Sequence, residues 1–195
     1  MELLCQATNL NNFGLRIYFP WSPRIEGESL VKIDNTNHSP EEKIFLYNRL
    51  CHQIPDFQRA YIGRIENPYL WSRYVLRYEE MKAQTLTRHV TEQIVIHATS
   101  ISAAYEIADN NFDWRLVKRH RYGKGVSFAR DARYANKHAK QNGAYIIAGV
   151  LVAKTSVGHY SMRIPPNDID TTTNPQHTVF VKYCDSDFYP YYIVY

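Results

Sequence analysis

The residues able to do chemistry fall in a few places. The run Gln93-Ile94-Val95-Ile96 reads as a short buried strand ending at His97, which would set an imidazole at the rim of the core. That side chain is either a ligand contact or a histidine satisfied within its own fold. Lys118-Arg119-His120-Arg121 gathers cations just before the turn Gly123-Lys124-Gly125. Such a cluster is a solvated loop, a phosphate contact or a nucleic-acid or nuclear-import patch. The turn is not a nucleotide-binding P-loop, because it lacks the four-residue spacer and the following Ser/Thr pattern. The eight histidines form no His-x-x-x-His pair joined to a Glu and no Cys/His cluster, so no metal site is expected. Cys5, Cys51 and Cys184 are odd in number and far apart, which points to reduced thiols.

These groups need a scaffold, and 195 residues with 45% hydrophobic content suit one domain with one core. The formal charge of +4 is modest for a nucleic-acid binder. The longest apolar run, Ala144 to Ala153, is about half a bilayer-spanning helix and reads as a buried strand. With an acid at Glu2 where a secretory leader would be basic, the expected compartment is cytoplasm or nucleus, with no membrane partner.

Ser39-Pro40-Glu41-Glu42 has the order of an N-cap, a first-turn proline and a capping-box glutamate, predicting a helix that stops before Pro55. A strand is expected over Phe57 to Glu66, and a second helix after Asn67-Pro68. In that helix Trp71, Tyr74, Val75, Tyr78 and Met81 share one face. Ser100 should cap a third helix with Ile101, Ala104, Tyr105 and Ala108 inward, and Asp131 a fourth reaching about Lys140. Further strands are expected over Val126–Ala129, Ala144–Lys154, Val179–Tyr183 and Tyr191–Tyr195, and an exposed loop over Asp168–Thr173. Helices cluster early and strands late, which is an α+β pattern.

His97-Ala98-Thr99-Ser100 and Gly123-Lys124-Gly125-Val126-Ser127-Phe128-Ala129 resemble, in order and spacing, two signatures of the poly(ADP-ribose) polymerase catalytic domain. The family's own forms are His-Gly-Thr-Ser and Gly-Lys-Gly-x-Tyr-Phe-Ala. The likeness extends through Glu66-Asn67-Pro68-Tyr69-Leu70-Trp71, Asn111-Phe112-Asp113, Met162-Arg163-Ile164-Pro165-Pro166 and Phe188-Tyr189-Pro190, covering about residues 20 to 195. It is most similar to the mono-ADP-ribosyltransferase branch whose members carry CCCH zinc fingers or WWE modules. The resemblance implies small twisted sheets forming a cleft for NAD+, which is consumed as substrate.

It also implies roles. His97 would hydrogen-bond a ribose hydroxyl, and the backbone of Ala98, in place of the usual glycine, would hold the nicotinamide carboxamide. Thr99, Ser100, Gly123 and Phe128 join the cofactor-binding set as motif members. Ser127 stands where the family has a tyrosine stacked on the nicotinamide, and Ala135 where it has a carboxamide-binding serine. Those losses amount to about 1–3 kcal/mol, roughly 5- to 150-fold in affinity. Tyr134 matches a tyrosine common in the branch and covers the ring or packs on its own fold. Val179 falls where polymer-forming members carry a glutamate, and a valine cannot bind or orient a ribose hydroxyl. The loop at 168–173 would face the acceptor, and Lys118-Arg119-His120-Arg121 the pyrophosphate and adenine side.

Two functions are therefore expected. One is transfer of a single ADP-ribose to a protein acceptor or to itself, with His97, Ser127 and Val179 as the catalytic set; the other is a catalytically silent domain of the same fold acting as a binding or scaffolding module. A basic RNA-binding domain, resting on residues 118–121 alone, is the third and weakest reading.

Overall fold

The computed structural model describes residues 30–32, 40–54, 57–84, 89–136 and 143–195. The expected N-cap Ser39, the end of the helix predicted to reach Lys140, and Cys5 lie outside them. Four α-helices are present among the described residues: α1 (Pro40–Leu50), α2 (Pro68–Gln84), α3 (Ile101–Asn110) and the short α4 (Ala132–Ala135). The strands are β1 (Leu30–Lys32), β2 (Ile62–Ile65), β3 (Thr91–Ser100), β4 (Val126–Ala129), β5 (Gly143–Val152), β6 (Thr155–Val157), β7 (Thr171–Thr173), β8 (Val179–Lys182) and β9 (Phe188–Val194). The α+β class is as expected.

The strands order as β1-β2-β9-β5-β3-β4-β8-β7-β6, and the described pairings are antiparallel except β6 with β7. β3 and β5 pair over ten positions, from Thr91 opposite Val152 to Ser100 opposite Gly143. β3 and β4 share one paired position, Ile96 opposite Ala129. The sheet is thus two smaller ones meeting at a seam, and beyond that pair the strands diverge.

β5 explains why its sequence shows no alternation. Tyr145, Ile147 and Leu151 pack with Leu46, Leu50, Trp71 and Tyr74 from α1 and α2, whereas Ala144, Ile146, Ala148 and Val150 pack with Ala104 and Ala108 of α3. Both faces are covered, so every other residue is apolar on either side. The predicted face of α2 is inward at Trp71, Tyr74, Val75 and Met81, with Tyr78 half-buried.

Several expectations need correction. The strand predicted from Phe57 is a short 3-10 turn over Phe57–Arg59 followed by β2, because backbone pairing begins only at Tyr61, which exchanges hydrogen bonds with Tyr195, and continues through Ile62–Ile65. Tyr105 is 37% exposed and bonds the Tyr195 hydroxyl at 2.9 Å, off the face that buries Ala104 and Ala108. Thr171–Thr173 is a buried strand, not an exposed loop, since β8 and β6 flank it. β9 begins at Phe188, earlier than expected: Pro190 is accommodated where the register against β5 shifts, a place where a missing N–H costs little. Glu42, expected to close a capping box, is fully buried, and both its oxygens accept from Arg64 Nη1, at 2.9 and 2.8 Å.

Candidate functional site

The divergence of β3 from β4 opens a cleft of about 1130 Å³, roughly the upper size of pockets that enclose small ligands. The end of β3 supplies His97, Ala98 and Thr99, β4 supplies Ser127 and Phe128, α4 supplies Tyr134 and Ala135, and the start of β8 supplies Val179. Most of the residues singled out in the sequence therefore meet in one place. Ser100 and Gly123 do not line it. The Ser100 hydroxyl caps α3 by accepting from Ala103 N at 3.2 Å. Gly123 has φ 122°, and a Cβ there would lie 1.8 Å from the Tyr183 hydroxyl, so only glycine fits. Gly125 is also confined: a Cβ there would lie 2.3 Å from the Lys182 carbonyl oxygen.

His97 is held in place. Its Nδ1 lies 2.9 Å from the Ser127 carbonyl oxygen, and a carbonyl only accepts, so Nδ1 carries the proton and Nε2 of the neutral ring is an acceptor. Phe112 meets the imidazole edge-on at 5.2 Å and Phe128 lies at 5.8 Å, while Phe188 meets Phe112 edge-on and Phe128 at a tilt. The likeness at Asn111-Phe112-Asp113 thus acquires a physical content. Asn111, at φ 71°, ends α3 and its amide donates to the carbonyls of Asp185 and Phe188. Phe112 buttresses His97, and Asp113 caps the next turn by accepting from Arg115 N at 2.8 Å. The supporting role of Phe112 was not read from sequence; its signal was a buried aromatic directly after a turn-forming asparagine.

Ala98 lies within a regular strand and is not among the residues with positive φ, so alanine replaces glycine without strain. Alternate residues of a strand turn their N–H and C=O to opposite neighbours, and β5 pairs with only one side of β3 here. Ser127 is exposed, and its hydroxyl has no hydrogen-bond partner among the described residues. Val179 is buried and fixed by its N–H donating to Asn174 Oδ1 at 3.0 Å. It presents only methyl groups.

The loop after α3 forms the other wall with Arg115, Leu116, Val117, Arg119, His120 and Arg121. Arg115 is tied to Asp113 and Asp185, each at 2.8 Å. These carboxylates push the guanidinium pKa up, while Arg115 holds the Asp113 carboxyl below its usual range. Arg119 and Arg121 have no carboxylate partner among the described residues. The Nδ1 of His120 is buried and has no hydrogen-bond partner among the described residues. A wall of this kind favours a phosphate-bearing ligand. Among the described residues, no helix is long and apolar enough to cross a membrane.

No family profile matches the chain. Individual proteins do. The chain is 29% identical over 190 residues to the mouse protein mono-ADP-ribosyltransferase PARP12, covering 89% of this chain and 26% of that protein. To the human PARP12 it is 30% identical over 172 residues, 80% of this chain and 24% of the relative. To the mouse protein mono-ADP-ribosyltransferase PARP11 it is 28% identical over 201 residues, 85% of this chain and 59% of the relative. The chain thus spans about a quarter of the length of the former and somewhat more than half of the latter.

Proposed function

Because this chain is a poly(ADP-ribose) polymerase-type catalytic domain of the mono-ADP-ribosyltransferase branch, we propose that its cleft binds NAD+ and transfers one ADP-ribose to a protein acceptor. The reading rests on His97, held by the Ser127 carbonyl with Nε2 as its acceptor nitrogen, in a cleft whose wall carries Arg119 and Arg121, which have no carboxylate partner among the described residues. In the reaction the bond between the ribose C1′ and the nicotinamide nitrogen breaks, and nicotinamide leaves as a neutral molecule. A new bond forms from C1′ to the acceptor.

The protein's share is positioning and exclusion of water. His97 Nε2 accepts from a ribose hydroxyl, the Ala98 backbone pairs with the carboxamide, and Arg119 and Arg121 face the pyrophosphate. Thr99, Phe128 and Tyr134 complete the walls. Transfer stops at one unit because Val179 has no group to orient a ribose hydroxyl for extension. A silent binding module is the second reading, favoured by the coincidence of Ser127, Ala135 and Val179 in one cleft.

Two measurements decide between them. Millimolar NAD+ is expected to raise the melting temperature by about a degree or two, and His97→Ala to remove most of that rise. No shift at high NAD+ would leave only the binding-module reading. Ser127→Tyr, at an exposed position in the cleft, is expected to tighten NAD+ binding by about 0.5–1.5 kcal/mol, roughly two- to tenfold. A folded variant with unchanged calorimetric affinity would place the nicotinamide elsewhere.

A further inference from the structure

The two walls of the cleft ask different things of a ligand. The loop after α3 presents Arg119 and Arg121 without carboxylate partners among the described residues, and the Arg121 guanidinium lies 5.5 Å from the centre of the Tyr122 ring. The acids of the lining do not cancel these cations: Asp113 and Asp185 are held by Arg115, and Glu106 accepts from the Asn110 amide at 3.4 Å. His120 adds a buried ring nitrogen with no hydrogen-bond partner among the described residues. This wall suits a pyrophosphate and the hydroxyls beside it.

The facing wall is neutral. Ser127, Phe128, Tyr134, Ala135 and Val179 line it and carry no charge. Tyr134 is half-buried and packs against the core that holds Tyr145 and Leu151. Ser127 offers an exposed hydroxyl without a partner among the described residues. A pyridinium cation finds no countercharge here, whereas another hydroxyl finds a hydrogen bond. NAD+ carries that cation, which offsets one of its phosphate charges. ADP-ribose keeps both phosphate charges and ends in a hydroxyl at C1″.

We propose that the cleft is a receptor for the ADP-ribosyl group, which it holds more tightly than NAD+, with the phosphates against Arg119 and Arg121 and the terminal ribose hydroxyls on Ser127. This inference rests on reading the cleft as an NAD+-type site and gives the binding-module reading its ligand. Because Ser127 is exposed, C1″ beside it stays open to solvent, so the group fits free or attached to a protein.

The test is calorimetry with ADP-ribose, NAD+, ADP and nicotinamide. ADP-ribose is expected to bind about two- to tenfold more tightly than NAD+ and than ADP, with a steeper loss on added salt than NAD+ shows, and nicotinamide not to bind measurably. Arg119→Glu with Arg121→Glu, both at exposed positions, is expected to weaken ADP-ribose roughly tenfold. Ser127→Tyr is expected to reverse the order in favour of NAD+, since a ring replaces the hydroxyl. A serine-linked ADP-ribosyl peptide that binds like the free ligand assigns the source as modified protein; binding of the free ligand alone assigns it as the soluble nucleotide sugar. NAD+ or ADP binding as tightly as ADP-ribose, or an order unchanged by Ser127→Tyr, overturns the proposal. Tight NAD+ with weak ADP-ribose would sink this inference and leave the transferase reading standing, whereas ADP-ribose bound without any NAD+ shift would do the reverse.

Discussion

Lys182→Met is expected to cost about 3–5 kcal/mol at neutral pH, which for a chain of this size lowers the melting temperature by on the order of 10 °C. Lys182 is 0% exposed, in β8, with its ammonium 2.6 Å from the Leu151 carbonyl, 2.8 Å from Thr171 Oγ1, 3.0 Å from Asp170 Oδ1 and 2.9 Å from Asp187 Oδ2. It ties β8 to β7, to the end of β5 and to the turn before β9. Methionine matches the length of the stem and leaves the buried Asp187 and the half-buried Asp170 facing one lost cation, with Asp187 still paired to Arg77 at 2.8 Å.

The pH dependence of that loss has a definite sign. Burial raises the Asp170 pKa, and Lys182, the Thr171 hydroxyl and the Lys154 N–H more than offset it, so the carboxyl sits below its usual value. A depressed folded pKa contributes stability that is present above the unfolded value and lost as pH falls through the folded one. Without Lys182 the first-named of those offsets is gone and the folded pKa rises, so the variant loses less stability than the parent as pH falls. The gap between the two proteins is expected to be widest near neutrality and to narrow below about pH 4. Urea titrations at several pH values measure it. A loss under about 1 kcal/mol, or one that does not change with pH, would mean that the carboxylates do not depend on Lys182.

Arg64→Met is expected to cause a second large loss, also about 3–5 kcal/mol, at the opposite side of the sheet. Its guanidinium joins Glu42 of α1 at 2.8 Å to Glu66 at 2.6 Å, and these carboxylates are 0% and 1% exposed. Burial opposes the Arg64 charge, but Glu42 and Glu66 outweigh it and raise its pKa. The Tyr192 hydroxyl donates to Glu42 at 2.9 Å, which closes the network onto β9. Removing Arg64 takes the shared cation from two buried carboxylates, so adding Glu42→Gln to Arg64→Met is expected to recover part of the loss. In a double-mutant cycle that recovery appears as coupling of about 1–3 kcal/mol. Additive losses would mean that Glu42 is stabilised by other partners.

Where the sequence was legible, the signal was local. The periodicity of Trp71, Tyr74, Val75 and Met81 identified α2 because one side of that helix faces solvent, as Arg73 and Leu76 do. Ser100 announced α3 because a cap acts within three residues. The motifs around His97 and Gly123 pointed to the cleft, since each is a run of consecutive residues on one strand or turn and most of both runs line it.

Long-range contacts account for what sequence alone left out. Glu42 read as a capping residue because its only visible neighbours were in its own helix, and its actual partners, Arg64 and Tyr192, are 22 and 150 positions away. Thr171–Thr173 read as an exposed loop because threonines are polar, yet between two strands their backbone is paired and their side chains are buried. Lys182 looked like part of an ordinary strand, and nothing in that strand announced that Asp170, from before β7, and Asp187, from the turn before β9, would meet its ammonium. The seam of one residue pair between β3 and β4, which opens the cleft, has no signature in either strand. Each of these depends on which segments the packed sheet brings together, and hydrogen bonds and buried charges are assigned only then. The sequence by itself singled out the candidate residues; the tertiary structure decided that most of them, though not Ser100 and Gly123, line one cleft, because only folding brings β3, β4, α4 and β8 together.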